Sequence, residues 1–316
     1  MGPMRAALLA CLAVDRAAAR AHVFTHRGAN ASAAAWHAPI ASSRAAQNCS
    51  RFVVITSQRS GSRYFMDKLK SHTEIRTAGE IFSHDRFRNT TWSSMHDAID
   101  RHMGSACSYN EHVTTVGFKW MLNQGHDDRH EKVKNYFRKS GTKLVFLWRK
   151  NEVRRIISLR ALATEKEAHP SAVQAAQLAA EKIAMPSGRA LINQLEKDAH
   201  ERKSVTRYYE RSSDHLVIFY EDIVESSPKY GETFKRVFDF VGVAPTQLTA
   251  SRSIAIHGNQ PMLASVSNAE AVLQTLILCC ACTPEKADGV LKRAPRNYAH
   301  PCCSVTAALC DDVEQE

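Results

Sequence analysis

Short apolar runs and longer segments with a single apolar face alternate along the chain. The first run, residues 52–56, is apolar and β-branched, and it stops at a polar segment, residues 57–62. This pattern predicts a buried strand that enters a tight turn. After the turn, the spacing of Tyr64, Phe65 and Leu69 predicts a helix that begins near Ser62. The predicted unit is therefore a strand, a polar loop and a helix.

Similar runs recur further along the chain, and segments with helical periodicity separate them. Predicted strands cover residues 116–120, 144–148 and 216–220, and predicted helices cover residues 152–163, 171–183, 190–211 and 227–241. Strands that alternate with helices predict an α/β fold, with a mostly parallel central sheet and helices on both faces. Such sheets bind ligands at the carboxyl ends of their strands, where we place residues 57–62.

Composition is that of a globular chain, and it changes near residue 50. The 316 residues are 44% hydrophobic, and no apolar run is long enough for a spanning helix. Residues 1–50 hold five arginines, one acid and no lysine in an Ala- and Ser-rich background, which is typical of a targeting leader or a disordered one. We expect a leader at 1–50, a folded domain at 51–268, and a Cys-rich extension at 269–316 that packs on the domain or is partly disordered.

The net charge of +10, from 42 Lys and Arg against 32 Asp and Glu, favours anionic partners. Phosphates, sulfated sugars, nucleic acid and anionic lipid all belong to that class. The sequence contains no groove-reading motif and no interleaved aromatic and basic stripe, so nucleic acid is not expected.

The polar segment 57–62 reads Ser-Gln-Arg-Ser-Gly-Ser. Free N–H groups at a helix start, a Gly that allows close backbone approach, hydroxyls and an Arg together form a phosphate or sulfate cradle. Neither a Walker A motif nor a Gly-x-Gly-x-x-Gly fingerprint is present, which argues against nucleoside triphosphate hydrolysis and dinucleotide binding. An ordinary turn is the alternative interpretation.

A second basic group follows the predicted strand 144–148. Arg149 comes directly after that strand, and Ser158 comes nine residues later in the next predicted helix. An Arg and a hydroxyl placed in this way can grip one phosphate from two sides. The alternative is a solvated basic face of the helix.

These motifs resemble those of the sulfotransferases that use 3′-phosphoadenosine 5′-phosphosulfate. Residues 57–62 resemble their P-loop-like phosphosulfate loop, and residues 149–158 resemble their 3′-phosphate motif. Within the superfamily the chain resembles the trehalose-type bacterial enzymes and related P-loop proteins of plants. That pattern runs in order through residues 58–62, 71–73, 79–82, 116–125, 220–223 and 256–257.

The resemblance implies which residues contact this donor. The expected donor-binding residues are Arg59, Ser60, Gly61, Ser62, Arg63, Arg149 and Ser158. Arg63 departs from the family pattern, which has Thr, Ser or Gly at this position. A long cation there either adds a contact to the donor or points outward, and we favour the outward orientation.

Sulfuryl transfer needs cationic stabilisation of the leaving group and a base for the proton of the acceptor hydroxyl. Arg59 fits the first task. Glu80, which we place on a short loop after Gly79, matches the base position that the resemblance implies. Lys119 is expected to add a second cation. A surface carboxylate and a solvated Lys at a strand end are the alternatives.

Three histidines are alternative bases, although a lone His is more often structural. They are His72, His84 and His257. The segment Tyr220-Glu221-Asp222 follows a predicted strand, and we assign it to the scaffold.

Six of the nine cysteines fall in the last 38 residues. Their spacing does not match a zinc knuckle, so no metal is expected. They are either small core residues or, in an oxidising lumen, disulfide partners in the stretches 279–282 and 302–310. Asn30, Asn48 and Asn89 begin glycosylation sequons. The sequence therefore leaves three alternatives for the compartment, which are a plastid or other organelle, the Golgi or secretory lumen, and the cytosol.

The sequence thus predicts a sulfotransferase that moves a sulfuryl group from 3′-phosphoadenosine 5′-phosphosulfate to a hydroxyl of a carbohydrate or small metabolite. The alternative is a catalytically silent nucleotide-binding protein with the same P-loop-like cradle. We expect the acceptor pocket to be formed by residues 83–112 and 160–215. Their sequences do not indicate a particular substrate.

Overall fold

Five parallel strands form the sheet on which the described part of the chain is built. The computed structural model describes residues 49–82, 91–108, 112–124, 130–164, 182–211, 213–248 and 263–280, all within one compact unit, Ser42–Glu316. The strands are β1 (Ser50–Thr56), β2 (Ile75–Glu80), β3 (Thr115–Met121), β4 (Lys143–Trp148) and β5 (His215–Phe219). Their order across the sheet is β2-β3-β1-β4-β5.

Helices cover both faces of this sheet. They are α1 (Ser62–Lys70), α2 (Trp92–Ser108), α3 (His130–Lys139), α4 (Glu152–Thr164), α5 (Gly188–Glu210), α6 (Tyr220–Ile223), α7 (Tyr230–Val241) and α8 (Ala269–Cys280). The predicted α/β class, with a parallel sheet between helical layers, is confirmed.

The alternation of β1 side chains explains why its run is apolar throughout. Val53 and Ile55 pack in the core that includes α2, α3 and the end of α5, whereas Phe52 and Val54 pack against α1 and α7. All four residues are fully buried. A strand covered on both faces has no polar face, so its sequence is a continuous apolar run.

The connections create a crevice between β1 and β4, which are hydrogen-bonded neighbours. After β1 the chain enters α1, which packs on one face of the sheet. After β4 it runs through α4 to α5, whose Val205 and Tyr209 pack on the other face. Where the connections from adjacent strands part in this way, the carboxyl edge of the sheet opens as a ligand crevice.

Six of the predicted elements are present at their predicted places, within two residues at either end. The strand and helix predictions at 52–56, 116–120, 144–148, 216–220, 152–163 and 190–211 correspond to β1, β3, β4, β5, α4 and α5. The helix predicted at 227–241 begins instead at Tyr230, because the backbone of residues 227–230 forms a turn in which the Tyr230 N–H donates to Ser227 O. The predicted helix 171–183 lies almost wholly outside the described residues.

β2 was not predicted. It is an edge strand, and Ile75 is its one buried residue, so its sequence lacks an apolar run. Edge strands carry little hydrophobic signal because one side of the strand has no neighbour to pack against.

The last described helix, α8, packs on α4 and α5. Val272 and Leu276 of α8 are buried in one cluster with Ile156 and Leu191. The predicted boundary at residue 268 immediately precedes this helix, and the division into leader, domain and extension stays a prediction.

The described residues test the predictions about cysteines and membrane spans only in part. Cys49 is disulfide-bonded. The C-terminal residues 281–316 and the three sequon asparagines lie outside the described residues. No helix in the described segments combines the length and the apolar character that crossing a membrane requires.

Candidate active site

The loop between β1 and α1 has two residues with a left-handed backbone. Arg59 has a φ of 63° and Gly61 has a φ of 77°. A Cβ atom on Gly61 would lie 2.0 Å from Cδ2 of Tyr220, so the ring excludes any side chain at this position. The sequence therefore places Gly61 where the left-handed turn and the close ring contact both require it.

The start of α1 offers unpaired amides to a ligand. The first N–H groups of a helix have no partner within that helix, and Gly61 has no side chain that could cap them. Ser60 and Ser62 are buried beside them, and the Ser60 hydroxyl lies 2.9 Å from that of Ser57. Amides and hydroxyls in this arrangement suit a phosphate or a sulfate.

Arg59 joins the two predicted half-sites. Its Nε donates to Oγ of Ser158 in α4 at 2.8 Å, although the two residues are 99 positions apart in sequence. The parallel pairing of β1 with β4 brings both segments to the same edge of the sheet. The loop residue and the helix residue therefore belong to one site.

Arg149 completes this site from the end of β4. Its Nη1 donates to the Arg59 carbonyl at 3.3 Å, and its guanidinium lies 4.9 Å from the centre of the Tyr220 ring. The side chain is 17% exposed, Nε lies 3.8 Å from Glu221 Oε1, and Nε donates no hydrogen bond to any described residue. Burial lowers the pKa of the Arg149 guanidinium below its usual range. The buried cation thus retains an open donor that an anion can fill.

The segment Tyr220-Glu221-Asp222 orders the residues after β4. The Glu221 carboxylate accepts hydrogen bonds from the N–H groups of Lys150 at 2.9 Å and Asn151 at 3.1 Å. Asp222 pairs with the Lys150 ammonium at 2.8 Å. The segment therefore does more than order its own helix, because Tyr220 also contacts both Gly61 and Arg149.

Glu80 and Lys119 form a second group on the neighbouring strands. The Lys119 Nζ lies 2.9 Å from Oε1 of Glu80, and the side chain of Gln124 donates to Oε2 of Glu80 at 2.5 Å. The Lys119 side chain is 10% exposed and that of Glu80 is 35% exposed. Both carboxylate oxygens of Glu80 are therefore engaged within the protein.

The positions of these residues differ from the sequence prediction in one respect. Glu80 is the last residue of β2 and not part of a loop, and a register shift between Thr77 and Glu80 sets it opposite Lys119. Lys119 lies within β3, and it alternates with Phe118 and Trp120, which face the other layer. Its side chain therefore faces the layer that contains α1.

Glu80 lies two strands away from the loop that begins after β1. At the usual spacing of neighbouring strands, this separation is roughly 10 Å. The carboxylate and the cradle thus both lie at the carboxyl ends of the strands, with β3 between them.

Two of the remaining sequence candidates are described by the structure. Arg63 is exposed, and no described residue forms a hydrogen bond or an ion pair with it. His72 is buried, its Nδ1 accepts from the Glu74 N–H at 3.1 Å, and its Nε2 lies 2.8 Å from the Ala244 carbonyl. Both ring nitrogens of His72 serve the scaffold, which removes it as a base. His84 and His257 lie outside the described residues.

Sequence reasoning did not single out Gln124. Its side chain is buried, and its Oε1 accepts from the Met121 N–H at 3.1 Å, which turns the amide nitrogen toward Glu80. The only sequence signal was its place in the block 116–125. Within the described part of the chain, no group of three or more His, Cys, Asp or Glu residues is arranged to hold a metal ion.

Comparison with solved structures shows a structural similarity to a known protein. No family model matches the chain, and no curated protein matches it. A matching solved structure is the crystal structure of mouse sulfotransferase SULT7A1 complexed with PAP. The identity is 10%, the match covers 81% of this chain and 88% of that chain, and the TM-score is 0.38.

Proposed function

We propose that the chain is a sulfotransferase that moves a sulfuryl group from 3′-phosphoadenosine 5′-phosphosulfate to a hydroxyl of a carbohydrate or small metabolite. The observation that carries this proposal is the contact between Arg59 and Ser158, with Arg149 beside them. Two anion-binding segments, one after β1 and one after β4, meet at one crevice. A ligand with two anionic ends matches such a site better than a single phosphate does.

The residues present fit this donor. The left-handed turn at Gly61 and the free amides of α1 suit one anionic end of the nucleotide. The open Nε donor of Arg149 and the hydroxyl of Ser158 suit the other end. Each end thus has a cation and a hydroxyl or amide donor within the described residues.

The mechanism assigns one task to each side chain. When bound, the donor supplies an activated sulfuryl group. Arg59 supplies positive charge at the loop, where negative charge develops on the leaving nucleotide. Glu80 takes the proton from the acceptor hydroxyl, and Lys119 and Gln124 hold its carboxylate in a fixed orientation. Catalysis then depends mainly on positioning and cationic stabilisation.

A nucleotide-binding protein without turnover is the second candidate function. One observation favours it, which is that Glu80 already has partners on both oxygens, as a structural ion pair would have. This candidate keeps the cradle and needs no base.

The donor site is tested by ligand-induced stabilisation. Adenosine 3′,5′-bisphosphate, the desulfonated product, should raise the melting temperature far more than AMP at the same concentration, because it engages both ends of the site. Equal shifts from the two nucleotides would contradict the two-ended site.

Turnover is tested with labelled donor against glycans and small hydroxylated acceptors. With an acceptor found in this way, Glu80→Gln should lower turnover by about 10²- to 10⁴-fold while the affinity for the bisphosphate stays within about twofold. Glu232→Gln, the same change at an exposed position of α7, is the matched control and should leave both unchanged. Wild-type turnover in Glu80→Gln would remove Glu80 as the base, and bisphosphate binding with no transfer to any acceptor would favour the silent protein.

A further inference from the structure

Four charged side chains form a buried network behind the candidate donor site. Glu152 and Arg155 lie on α4, and Asp198 and Arg202 lie on α5. Arg155 Nε contacts Glu152 Oε2 at 2.5 Å, Arg155 Nη2 contacts Asp198 Oδ2, and Arg202 Nη1 contacts Glu152 Oε1 at 2.9 Å. The side chains are 3%, 6%, 10% and 14% exposed for Glu152, Arg155, Asp198 and Arg202, respectively.

Each guanidinium of this network also reaches a backbone carbonyl of the donor site. Arg155 Nη1 donates to the Gln58 carbonyl at 3.3 Å, and Arg202 Nη1 donates to the Arg149 carbonyl at 2.9 Å. The two carbonyls belong to the two segments that we assign to opposite ends of the nucleotide. One network therefore touches both segments from the side of α4 and α5.

These hydrogen bonds fall where the backbone needs support. Arg59 has a left-handed backbone, which is unfavourable for a non-Gly residue and persists only where its surroundings enforce it. Its peptide groups are held on both sides, since Arg155 binds the preceding carbonyl and Arg149 binds the Arg59 carbonyl. The peptide between Arg149 and Lys150 is likewise held at its carbonyl by Arg202 and at its N–H by Glu221.

Stability alone does not account for such a network. Replacing buried ion pairs by apolar residues of similar volume is often neutral or stabilising, because desolvation offsets the Coulomb attraction. The geometry points to a different role. We propose that Glu152, Arg155, Asp198 and Arg202 are positioning residues that preset the loop after β1 and the segment after β4 relative to each other before the donor binds.

The role that we infer deepens the proposed function and rests on it. The four residues act through the backbone of Gln58, Arg59 and Arg149 and do not themselves contact the nucleotide. A preset pair of anion-binding segments avoids the cost of ordering them on binding. The network therefore contributes to donor affinity through the free protein.

The first test compares two variants of α5 that remove one positive charge from neighbouring positions. Arg202→Gln breaks the contact with the Arg149 carbonyl, whereas Lys203→Gln removes an exposed charge that contacts no described residue. Arg202→Gln should weaken the binding of adenosine 3′,5′-bisphosphate by about 3- to 30-fold in calorimetry, with the loss persisting at high salt. Lys203→Gln should change the affinity by less than about twofold at high salt, because long-range attraction is screened there. Equal losses in the two variants would overturn the positioning role.

The second test needs no ligand, so it separates this inference from the proposed function. Amide hydrogen exchange in the free protein should accelerate at Lys150 and Asn151 in Arg202→Gln, while the amides of β1 and β3 keep their wild-type rates. Arg155→Lys, which keeps the charge but loses the planar fork, should instead accelerate exchange at the Phe65 amide, which donates to the Gly61 carbonyl. Faster exchange throughout the sheet, or no local change in either variant, would refute the inference. If amide exchange accelerates locally in the variants but the wild-type protein binds no bisphosphate, the network does position the two segments and the nucleotide is not their ligand.

Discussion

Replacing Gly61 by Ala tests the geometry of the loop most directly. The added methyl group would lie 2.0 Å from Cδ2 and 2.5 Å from Cε2 of Tyr220, which is far inside van der Waals contact. The left-handed backbone costs Ala about 1–2 kcal/mol relative to Gly. Forcing the ring aside adds about 1–3 kcal/mol, the usual cost of overpacking. We expect Gly61→Ala to lower the free energy of unfolding by about 2–5 kcal/mol.

The two contributions can be separated within this chain. Gly141 has a φ of 62°, and a Cβ atom there would meet nothing within 4 Å, so Gly141→Ala reports the backbone cost alone. Urea denaturation of both variants gives the packing cost as the difference between them. Gly61→Ala should also weaken bisphosphate binding by tenfold or more, because Tyr220 cannot move from Gly61 without leaving the Arg149 guanidinium.

A double variant completes the test of this packing. In Gly61→Ala combined with Tyr220→Leu, the flexible smaller side chain should recover part of the packing cost, measured against Tyr220→Leu alone. The reasoning is refuted if Gly61→Ala and Gly141→Ala are destabilised equally, within about 0.5 kcal/mol. That result would mean that the ring does not press on Gly61 in solution.

The remaining predictions concern a ligand contact and the half-buried His102. Arg149→Ala should weaken binding of adenosine 3′,5′-bisphosphate by roughly 10- to 150-fold in calorimetry, the effect of losing a charge-assisted contact, and should change AMP binding much less. Equal losses for both nucleotides would place Arg149 away from the 3′-phosphate. Burial, helped by the nearby Arg76, lowers the pKa of His102, while its contact with the Gly117 carbonyl raises it. Because the unfolded state then binds more protons, His102 should destabilise the fold as the pH falls below about 6.5. Urea denaturation at pH 7.5 and 5.5 should show a smaller loss in His102→Gln than in the wild type, and an identical loss in both would contradict this account.

The sequence predicted those parts of the fold that a local pattern encodes. β1, β3 and β4 are buried on both faces, so β1 and β4 contain unbroken apolar runs, and β3 is mostly apolar with Lys119 as its one charged residue. β2 was not predicted because Ile75 is its one buried residue and because its assignment depends on pairing with β3, which lies far along the chain. The predicted loop position of Glu80 was wrong for the same reason.

The residues of the candidate site were likewise predicted from local patterns, whereas the contacts between them were not. Arg59 and Gly61 were identified because they lie in the polar loop after the first apolar run, and Arg149 because it directly follows another run. A parallel sheet places its ligands at these strand ends. The sequence did not predict the contacts between these residues, because the hydrogen bond from Arg59 to Ser158 joins residues 99 positions apart. Gln124 and Arg155 lie within motif blocks and Arg202 lies outside them, but none was singled out, because a sequence does not show which polar side chains are buried or what they contact.

The sequence alone thus determined four of the five strands, the tight turn that contains Gly61 and the cations beside it, because hydrophobic periodicity and turn chemistry act over a few neighbouring residues. Only the tertiary structure decided which of these cations share a crevice, which carboxylates neutralise them, and that Tyr220 closes over Gly61. These contacts depend on strand order and register, which bring together residues tens of positions apart. Short-range patterns specify the elements, whereas the long-range pairing of those elements specifies the site.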